Sequence, residues 1–318
     1  MKVFYMIFVM CVCCSNSYAL EKKLSAFDYA QLGYTNFEDG KYEQAIVYYT
    51  KALEINPNFH EVYVNRGIVW DRKGNFDKAM EDYQRAIDID PKDDKAFAHR
   101  GLALYRKGEY DRAIRDYTKA LEINPNFHEV YVNRGIVWDS KGNFDKAIDD
   151  YQRAIEINPK DDKAFAHRGL AWDSKGEYDR AIRDYNKALD INPQNQLAYL
   201  ARADTWANKG ELDKAISEYT NALNLYPNDV IIYNNRGFTW SKKKIYDRAI
   251  ADYNKALEIN PNLAEVYFNR AEARKALTEY KVALKDAVRA LKLKPNESRY
   301  QKIVKELKVE VDKKYNGR

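Results

Sequence analysis

Cysteine is nearly absent from this chain of 318 residues, and the three copies present, Cys11, Cys13 and Cys14, all lie near the N-terminus. The rest of the chain therefore offers no disulfide framework, no thiolate nucleophile and no thiolate metal site. A cysteine-free chain suits an oxidising compartment, although a helical protein has no need of cysteine in any compartment.

Long hydrophobic runs are scarce as well. The main run lies at residues 3–12, follows Lys2 and precedes a mostly polar segment that ends at Ala19. Because about 20 apolar residues are needed to cross a bilayer, this run is too short to span one. It predicts a secretory signal at residues 1–19, cleaved between Ala19 and Leu20 and followed by a short linker at residues 20–25.

The alternative for this segment is a lipoprotein signal, with lipid attached at Cys13 or Cys14. Such signals have Gly, Ala or Ser before the modified cysteine, whereas Val12 and Cys13 stand there in this chain. No later stretch of the sequence is apolar enough to cross a membrane. We therefore expect an exported protein, periplasmic or secreted, with no integral membrane segment after cleavage.

An excess of charge of one sign is also missing from most of the chain. Residues 20–297 contain 45 basic and 45 acidic residues, whereas residues 298–318 contain seven basic and three acidic ones. A nucleic-acid-binding surface needs a clustered basic face, so we expect no nucleic-acid partner. The basic tail leaves open a weak contact with anionic lipid or an acidic polymer.

Proline occurs only eight times, and each proline lies 34 residues from the next. The eight are Pro57, Pro91, Pro125, Pro159, Pro193, Pro227, Pro261 and Pro295. Proline ends a helix because it lacks an N–H group and clashes with the preceding turn. Helix ends at a fixed interval of 34 residues are typical of stacked helical hairpins.

The prolines divide the chain into eight units of 34 residues, and a position is counted here from the first residue of its unit. The units are 26–59, 60–93, 94–127, 128–161, 162–195, 196–229, 230–263 and 264–297. Residues 60–127 and 128–195 differ at only 12 of 68 positions. This similarity indicates growth by duplication of a two-unit block, which a solenoid tolerates because each unit contacts only its neighbours.

Small and aromatic residues recur at fixed positions of the unit. Position 8 is glycine or alanine, positions 20 and 27 are alanine, position 4 is tyrosine or phenylalanine, and position 24 is tyrosine in seven units. Two helices approach closely only where side chains are small, so positions 8 and 20 predict the contact between the two helices of a unit. The aromatic rings fill the space beside that contact.

Turn signals separate the two predicted helices of each unit. Glycine at position 15 of six units, as at Gly142, opens the turn, and an acidic residue at position 18, as at Asp145, suits the positive end of the second helix. The second helix ends in Asn-Pro in most units. We expect this asparagine, such as Asn158, to form a left-handed cap.

The pattern of Gly or Ala at position 8, alanine at positions 20 and 27 and proline at position 32 resembles the tetratricopeptide repeat family over residues 26–297. The resemblance implies an all-α fold, a right-handed superhelical solenoid of antiparallel helix pairs. It also implies that the first helix of each pair lines a concave groove, which suits a protein or peptide ligand.

By the same resemblance, residues at positions 2, 5, 6, 9 and 12 face the groove. Amides at position 6 can hold the backbone of an extended peptide, as an asparagine ladder does in some superhelical members. Positions 2 and 9 add charges of both signs and an apolar patch in the sixth and seventh units. The candidate ligand-binding residues are Asn65, His99, Asn133, His167, Asn235, Asn269, Glu61, Lys95, Glu129, Lys163, Leu197, Ile231 and Phe238.

Two simpler interpretations of these residues stay open. Asparagine tolerates a solvated helix face, so its recurrence does not require a ligand. The apolar patch can instead be covered by contacts between turns of the superhelix or by a neighbouring copy of the chain.

Position 7 is arginine and position 23 is acidic in every unit except the first, where Leu32 and Tyr48 replace both charges. A partly buried charge needs a partner of opposite sign. The joint loss therefore predicts an arginine–carboxylate pair within a hairpin or between hairpins.

Residues typical of catalysis do not cluster anywhere in the repeats. The four histidines form two pairs 68 residues apart, and equivalent points two units apart lie about 20 Å from each other, too far for a shared zinc ion. The sequence contains no Ser/His/Asp cluster, glycine-rich phosphate loop or HExxH motif. We expect no enzymatic activity, metal or cofactor.

The tail at residues 298–318 is predicted to form a capping helix, because Tyr300, Ile303, Val304, Leu307 and Val311 make one apolar stripe. Taken together, the sequence predicts an exported protein–protein interaction scaffold that binds an extended peptide or protein segment. The alternative is a structural protein that assembles with itself or with an envelope complex.

Overall fold

A computed structural model describes residues 24–315 and 317 of the chain. Within these residues the chain forms seventeen α-helices and no strand, which confirms the predicted all-α fold. The chain also divides into two larger structural units, each of which contains several of the 34-residue repeats. The first structural unit ends at Ala103 and the second begins at Leu104, so that the boundary falls within the fifth helix.

The first unit contains two helical hairpins and most of the fifth helix. The helices are α1 (Ala26–Glu38), α2 (Tyr42–Ile55), α3 (His60–Arg72), α4 (Phe76–Ile89) and α5 (Asp94–Arg106), whose last residues belong to the second unit. Within this unit α1 packs against α2, α3 packs against α4, and α2 and α3 join the two hairpins. The core of the first hairpin includes Ala45, Tyr49 and Ala52, and Val62 of α3 packs into it.

The second unit contains the remaining helices. They are α6 (Tyr110–Ile123), α7 (His128–Ser140), α8 (Phe144–Ile157), α9 (Asp162–Ser174), α10 (Tyr178–Ile191), α11 (Gln196–Asn208), α12 (Leu212–Leu225), α13 (Val230–Lys242), α14 (Tyr246–Ile259), α15 (Ala264–Ala276), α16 (Tyr280–Leu293) and α17 (Ser298–Tyr315). From α7 to α16 the helices form five antiparallel hairpins. The second helix of each hairpin also packs against the first helix of the next.

Short turns of fixed geometry join the helices. After α7, Gly142 has a φ of 73°, in the left-handed region, and Asn143 then caps α8 by accepting a hydrogen bond from the Lys146 amide. The predicted left-handed cap before proline is wrong, because Asn158 has φ −126° and ψ 89°. Proline favours extended backbone in the residue before it. The Asn158 side chain instead accepts a hydrogen bond from the Lys160 amide at 3.2 Å.

Each hairpin closes on a residue pair at positions 8 and 24. Tyr151 is fully buried, and a Cβ added at Gly135 would lie 2.5 Å from the tyrosine ring. Glycine at position 8 therefore makes room for the ring. In the last hairpin both residues differ, and the buried alanines Ala271 and Ala287 occupy the two positions.

The predicted arginine–carboxylate pair lies within a hairpin and has a third member in the preceding hairpin. Arg134 donates from Nε to Asp150 Oδ2 at 2.8 Å and from Nη2 to Asp150 Oδ1 at 2.7 Å. Its Nη1 donates to Thr118 Oγ1, at position 25 of the preceding unit, at 3.0 Å. The guanidinium also lies over the Tyr131 ring, 5.6 Å from the centroid. The same arrangement recurs around Arg66, Arg236 and Arg270.

The first hairpin replaces this charged pair with aromatic and apolar residues. Tyr48 stacks on Tyr29 with ring centroids 6.4 Å apart, and Leu32 stands where later units have arginine. An arginine at position 7 of this hairpin would find no position-25 partner in the described residues. The joint loss of both charges therefore has a physical reason.

The capping helix α17 covers the last hairpin, as predicted. Its buried residues are Tyr300, Ile303, Val304 and Leu307, which pack against alanines of α15 and α16. Val311 is only partly buried. The stripe read from the sequence thus faces the last repeat over most of its length.

Candidate functional site

The inner surface of the second unit is formed by the first helices of its hairpins. α7 contacts α9, α9 contacts α11, α11 contacts α13, and α13 contacts α15. Consecutive second helices make no comparable contact within the described part of the chain. The first helices are therefore the more closely spaced set, and their outward side chains line one continuous face of this unit.

A cavity of about 550 Å³ opens on this inner surface between α9, α11 and α13. Its lining residues include Leu170, Asp173, Tyr185, Leu197, Leu200, Asp204, Tyr219, Asn235, Phe238, Thr239 and Lys242. Although they line it, Leu197 and Phe238 remain 38% and 48% exposed. The cavity brings together three of the predicted ligand-binding residues, Leu197, Asn235 and Phe238.

Two carboxylates give the cavity its polar character. Asp204 accepts hydrogen bonds at Oδ1 from the Tyr219 hydroxyl and, at 3.2 Å, from Nδ2 of Asn235. Asp173 accepts at Oδ1 from the Thr205 hydroxyl at 2.7 Å. Each carboxylate is thus oriented through one oxygen by neighbouring side chains.

Burial raises the pKa of Asp204, because desolvation disfavours the charged form. The charge of Asp173 acts in the same direction, whereas the hydrogen bonds from Tyr219 and Asn235 and the charge of Lys242 lower the pKa of Asp204. The two carboxylates are therefore close enough to sense each other. Such a site is suited to a donor or a cation.

Two amides of the predicted ladder are engaged in a chain of hydrogen bonds along the inner surface. Asn269 donates from Nδ2 to Asn234 Oδ1 at 3.0 Å. Asn234 donates to Asn235 Oδ1 at 3.3 Å, and Asn235 donates to Asp204. Part of the hydrogen-bonding capacity of Asn235 and Asn269 is therefore satisfied within the protein.

The asparagines of the earlier hairpins differ. Asn65 in the second 34-residue unit and Asn133 in the fourth are half-buried at position 6, and their amides form no hydrogen bond with another described residue. Each keeps both a donor and an acceptor for a ligand.

The two histidines at position 6 pack against tyrosines of the preceding hairpin. His99 stacks on Tyr83 and His167 on Tyr151, with ring centroids 5.9 Å and 5.8 Å apart. Burial lowers the pKa of His167, so its imidazole is neutral at pH 7. Both rings contribute to packing between hairpins.

The predicted residues at position 2 are exposed to solvent. Glu61, Lys95, Glu129 and Lys163 are all exposed. Ile231, at the same position of α13, is 56% exposed. Position 2 thus carries exposed charges in the second to fifth 34-residue units, whereas Leu197 and Ile231 make it apolar in the sixth and seventh.

The repeat pattern alone does not single out Asp173, Asp204 or Lys242. Position 9 is apolar or aromatic in six of the eight units, so the aspartate at 204 was the available signal. Its approach to Asp173, from the neighbouring helix, is visible only in the folded chain.

A second cavity of about 580 Å³ lies between α15, α16 and α17. Its lining includes Glu272, Lys275, Glu306 and Glu310. Lys275 donates to Glu306 at 2.5 Å, so these two charges compensate each other. The described residues contain no group of three side chains able to hold a metal ion, and no described helix has the length and apolarity to cross a membrane.

Comparison with known proteins identifies the repeats. A family model of the tetratricopeptide repeat matches residues 26–59, 94–127, 128–161, 162–195 and 230–263. The chain belongs to the tetratricopeptide repeat family. A second model, described as TPR repeat, matches residues 72–108 and 206–244. Tetratricopeptide repeat proteins are typically non-enzymatic scaffolds for protein–protein interaction, and this chain has the fold of such a scaffold.

Several solved structures resemble this tetratricopeptide repeat protein. The APC/C hetero-tetramer Cut9-Hcn1 has a TM-score of 0.62 and 20% identity, covering 91% of this chain and 57% of that chain. A tetratricopeptide repeat protein from Parabacteroides merdae has a TM-score of 0.55 and 21% identity, covering 89% and 98%. The MamA protein has 29% identity and a TM-score of 0.48, covering 53% and 92%. The first two support the fold alone.

No curated protein matches this sequence. The predicted signal cleavage between Ala19 and Leu20 lies outside the described residues, as do Cys13 and Cys14.

Proposed function

We propose that this tetratricopeptide repeat protein is an exported scaffold that binds an extended peptide or protein segment along its inner surface. The observation that carries the proposal is the cavity between α9, α11 and α13, where Leu197 and Phe238 remain exposed. Concave sites with apolar walls and a few convergent polar groups are typical ligand sites. Exposed apolar patches of this kind mark partner surfaces.

The inner surface offers two kinds of contact to an extended peptide. The amide of Asn133 can donate to and accept from a peptide backbone without regard to its side chains. A single hydrogen bond of this kind contributes about 0.5–1.5 kcal/mol net, so it needs support. The cavity supplies that support, because burial of an apolar side chain there contributes about 1.5–3 kcal/mol.

Export is the part of the proposal that rests on residues 1–19 alone. The intact mass of the protein after expression in a secreting host tests it. A chain beginning at Leu20 is expected. A lipid-modified chain beginning at Cys13 or Cys14 would replace this reading with the lipoprotein alternative, and an unprocessed chain would contradict both.

Selection from a library of random nine-residue peptides tests binding at the inner surface. We expect the purified protein to enrich a set of related peptides, and Leu197→Ala to weaken their binding about tenfold, which corresponds to one lost apolar contact. Leu225→Ala is the matched control, because Leu225 lies on the second helix of the same hairpin and is 46% exposed. Affinity is measured by fluorescence anisotropy with the selected peptides.

Equal loss of affinity in Leu197→Ala and Leu225→Ala would contradict binding at the inner surface. Failure of the library to yield any enriched peptide would contradict peptide binding altogether.

Self-assembly is the second candidate, favoured by the apolar residues of the first hairpin. Phe27 and Val47 are 67% and 52% exposed. Analytical ultracentrifugation of the purified protein decides between the two. A monomer at micromolar concentration excludes assembly, whereas oligomers that dissociate in Phe27→Ser would favour it.

A further inference from the structure

We infer that the cavity between α9, α11 and α13 anchors a basic side chain, arginine or lysine, of the bound peptide. The inference rests on the proposed function and adds to it the chemistry of the partner.

The carboxylates present unused acceptor atoms. Tyr219 and Asn235 bond to Oδ1 of Asp204, and Thr205 bonds to Oδ1 of Asp173. Within the described chain, Oδ2 of neither carboxylate receives a hydrogen bond. An acceptor in a partly buried site is stabilised by a donor, and a cationic donor forms the stronger bond.

The wall of the cavity fits the stem of such a side chain. Leu170, Leu197, Leu200 and Phe238 supply apolar surface beside the two carboxylates. Lysine and arginine place three or four methylene groups along apolar surface while their charged head reaches a polar site. A short neutral side chain would leave the carboxylates without a donor, and a purely apolar one would desolvate them without compensation.

The balance of charge also favours a cation. Lys242 is the one basic residue in the cavity lining, whereas the lining contains two aspartates, Asp173 and Asp204. It is exposed, and its Nζ lies 5.0 Å from the centroid of the Phe238 ring. The ammonium group therefore already has one contact at the rim, while the two carboxylates together exceed its charge.

The peptides selected from the random nine-residue library provide the test. We expect them to share an arginine or lysine next to a bulky apolar residue. Replacing that arginine with citrulline keeps the shape of the side chain and removes its charge. We expect this replacement to weaken binding to the wild-type protein about tenfold, as for loss of one charge-assisted hydrogen bond.

The protein variants Asp173→Asn and Asp204→Asn complete the experiment. Each is expected to bind the arginine peptide and the citrulline peptide with nearly equal affinity. Asp247→Asn is the control, because Asp247 is exposed on α14 and its loss changes the net charge by the same amount. This control should keep the full preference for arginine.

Selected peptides without a common basic residue, or with citrulline as good as arginine, would overturn the anchor while leaving peptide binding intact. A shared acidic residue would overturn it in favour of Lys242 as the anchoring group. No selected peptide at all would overturn the proposed function as well. If Asp204→Asn fails to fold, the comparison of arginine with citrulline on the wild-type protein still decides.

Discussion

The contact between Gly135 and Tyr151 sets how closely α7 approaches α8. The ring of Tyr151 lies where a side chain at position 135 would begin. Similar contacts hold Tyr49, Tyr83, Tyr185 and Tyr253 against their glycines. Glycine inside a helix costs about 1 kcal/mol relative to alanine. At these positions, burial of a large aromatic ring offsets that cost.

We expect Gly135→Ala to lower the free energy of unfolding by about 2 kcal/mol, because overpacking forces the ring to move. In the Tyr151→Ala background the same change should be neutral or stabilising, since alanine favours helix and the ring is gone. Urea unfolding followed by circular dichroism measures both. An equal cost in the two backgrounds would show that the ring is not the obstacle.

Asp139 is a second residue whose environment has a measurable consequence. It accepts a hydrogen bond at Oδ2 from the Tyr151 hydroxyl at 2.7 Å, while its Oδ1 is buried without a partner among the described residues. Burial raises the pKa of Asp139 from 3.8 to about 6. The folded protein therefore binds this proton more tightly than the unfolded chain does.

Because the folded state holds the proton between the two pKa values, the contribution of Asp139 to stability falls as pH rises from about 4 to about 6. Over this range we expect the free energy of unfolding of the wild-type protein to fall by about 1 kcal/mol relative to that of Asp139→Asn. The expected change is small because the carboxyl group is only partly buried. Urea midpoints at pH 4 and pH 7 measure the difference. Asp149→Asn is the control, because Asp149 is exposed. A wild-type protein whose stability rises relative to that of Asp139→Asn as pH rises would contradict the assignment.

At the scale of elements, the arginine at position 7 joins three helices. Arg134 on α7 binds Asp150 on α8 and Thr118 on α6. A buried charge that loses its partner is costly, whereas removal of both charges is often tolerated. The first hairpin shows a version without charges, in which Tyr48 stacks on Tyr29.

We therefore expect Arg134→Leu to cost about 3–5 kcal/mol, because it leaves the Asp150 carboxylate buried alone. The double change with Asp150→Tyr should cost clearly less, since the tyrosine can stack on Tyr131 as in the first hairpin. Urea unfolding of the two variants gives the comparison. A cost in the double variant equal to or greater than that of Arg134→Leu would argue against a coupled pair.

The turns after α13 and α15 depart from the glycine rule. Lys244 and Thr278 have φ of 62° and 60°, where six other units have glycine. A side chain in this left-handed region costs about 1 kcal/mol. The strain therefore lies in the turns of the last two 34-residue units, at Lys244 and Thr278.

We expect Lys244→Gly to raise the free energy of unfolding by about 0.5–1 kcal/mol, because glycine adopts this φ without strain and the gain exceeds its added entropy in the unfolded chain. Lys244→Ala removes the same side chain but retains a Cβ, and it should give no such gain. Thermal melting of the two variants distinguishes relief of strain from loss of charge. A gain in both would assign the effect to the lysine charge.

At the scale of the whole molecule, stability comes from hairpins and from the interfaces between neighbouring hairpins. The core clusters of the second unit join one hairpin to the next helix along the chain, as where Ala164 of α9 packs with Tyr151 and Ala154 and where α17 packs on the last hairpin. In such arrays the free energy of unfolding is close to the sum of the stabilities of the single repeats and of the interfaces between neighbouring repeats. Contacts distant in sequence contribute little.

We expect insertion of a second copy of residues 128–195 after Asn195 to leave the protein folded and to raise its urea midpoint, because the inserted hairpins reproduce existing interfaces. The control is the same insertion with Arg134→Leu in the added copy, which should raise the midpoint less. A lower midpoint for the unaltered insertion would contradict the additive picture.

Much of this protein could be predicted from its sequence because its signals are local and repeated. Proline and glycine placed the ends of the helices, and the joint change at Leu32 and Tyr48 predicted the charged pair. Neither signal needs a distance between remote parts of the chain. The predicted left-handed conformation of Asn158 was wrong, because it followed the preference of asparagine for helix caps and left out the restriction that proline imposes on the residue before it.

The tertiary structure alone decided the chemistry of the inner surface. Which amides are free, as in Asn133, and which are engaged, as in Asn235, depends on side chains contributed by neighbouring hairpins. The cavity with Asp173 and Asp204 likewise forms only where three first helices meet. A repeating pattern specifies what each helix carries, whereas the distance between side chains on successive helices is set by packing, and that distance determines which polar groups are left for a partner.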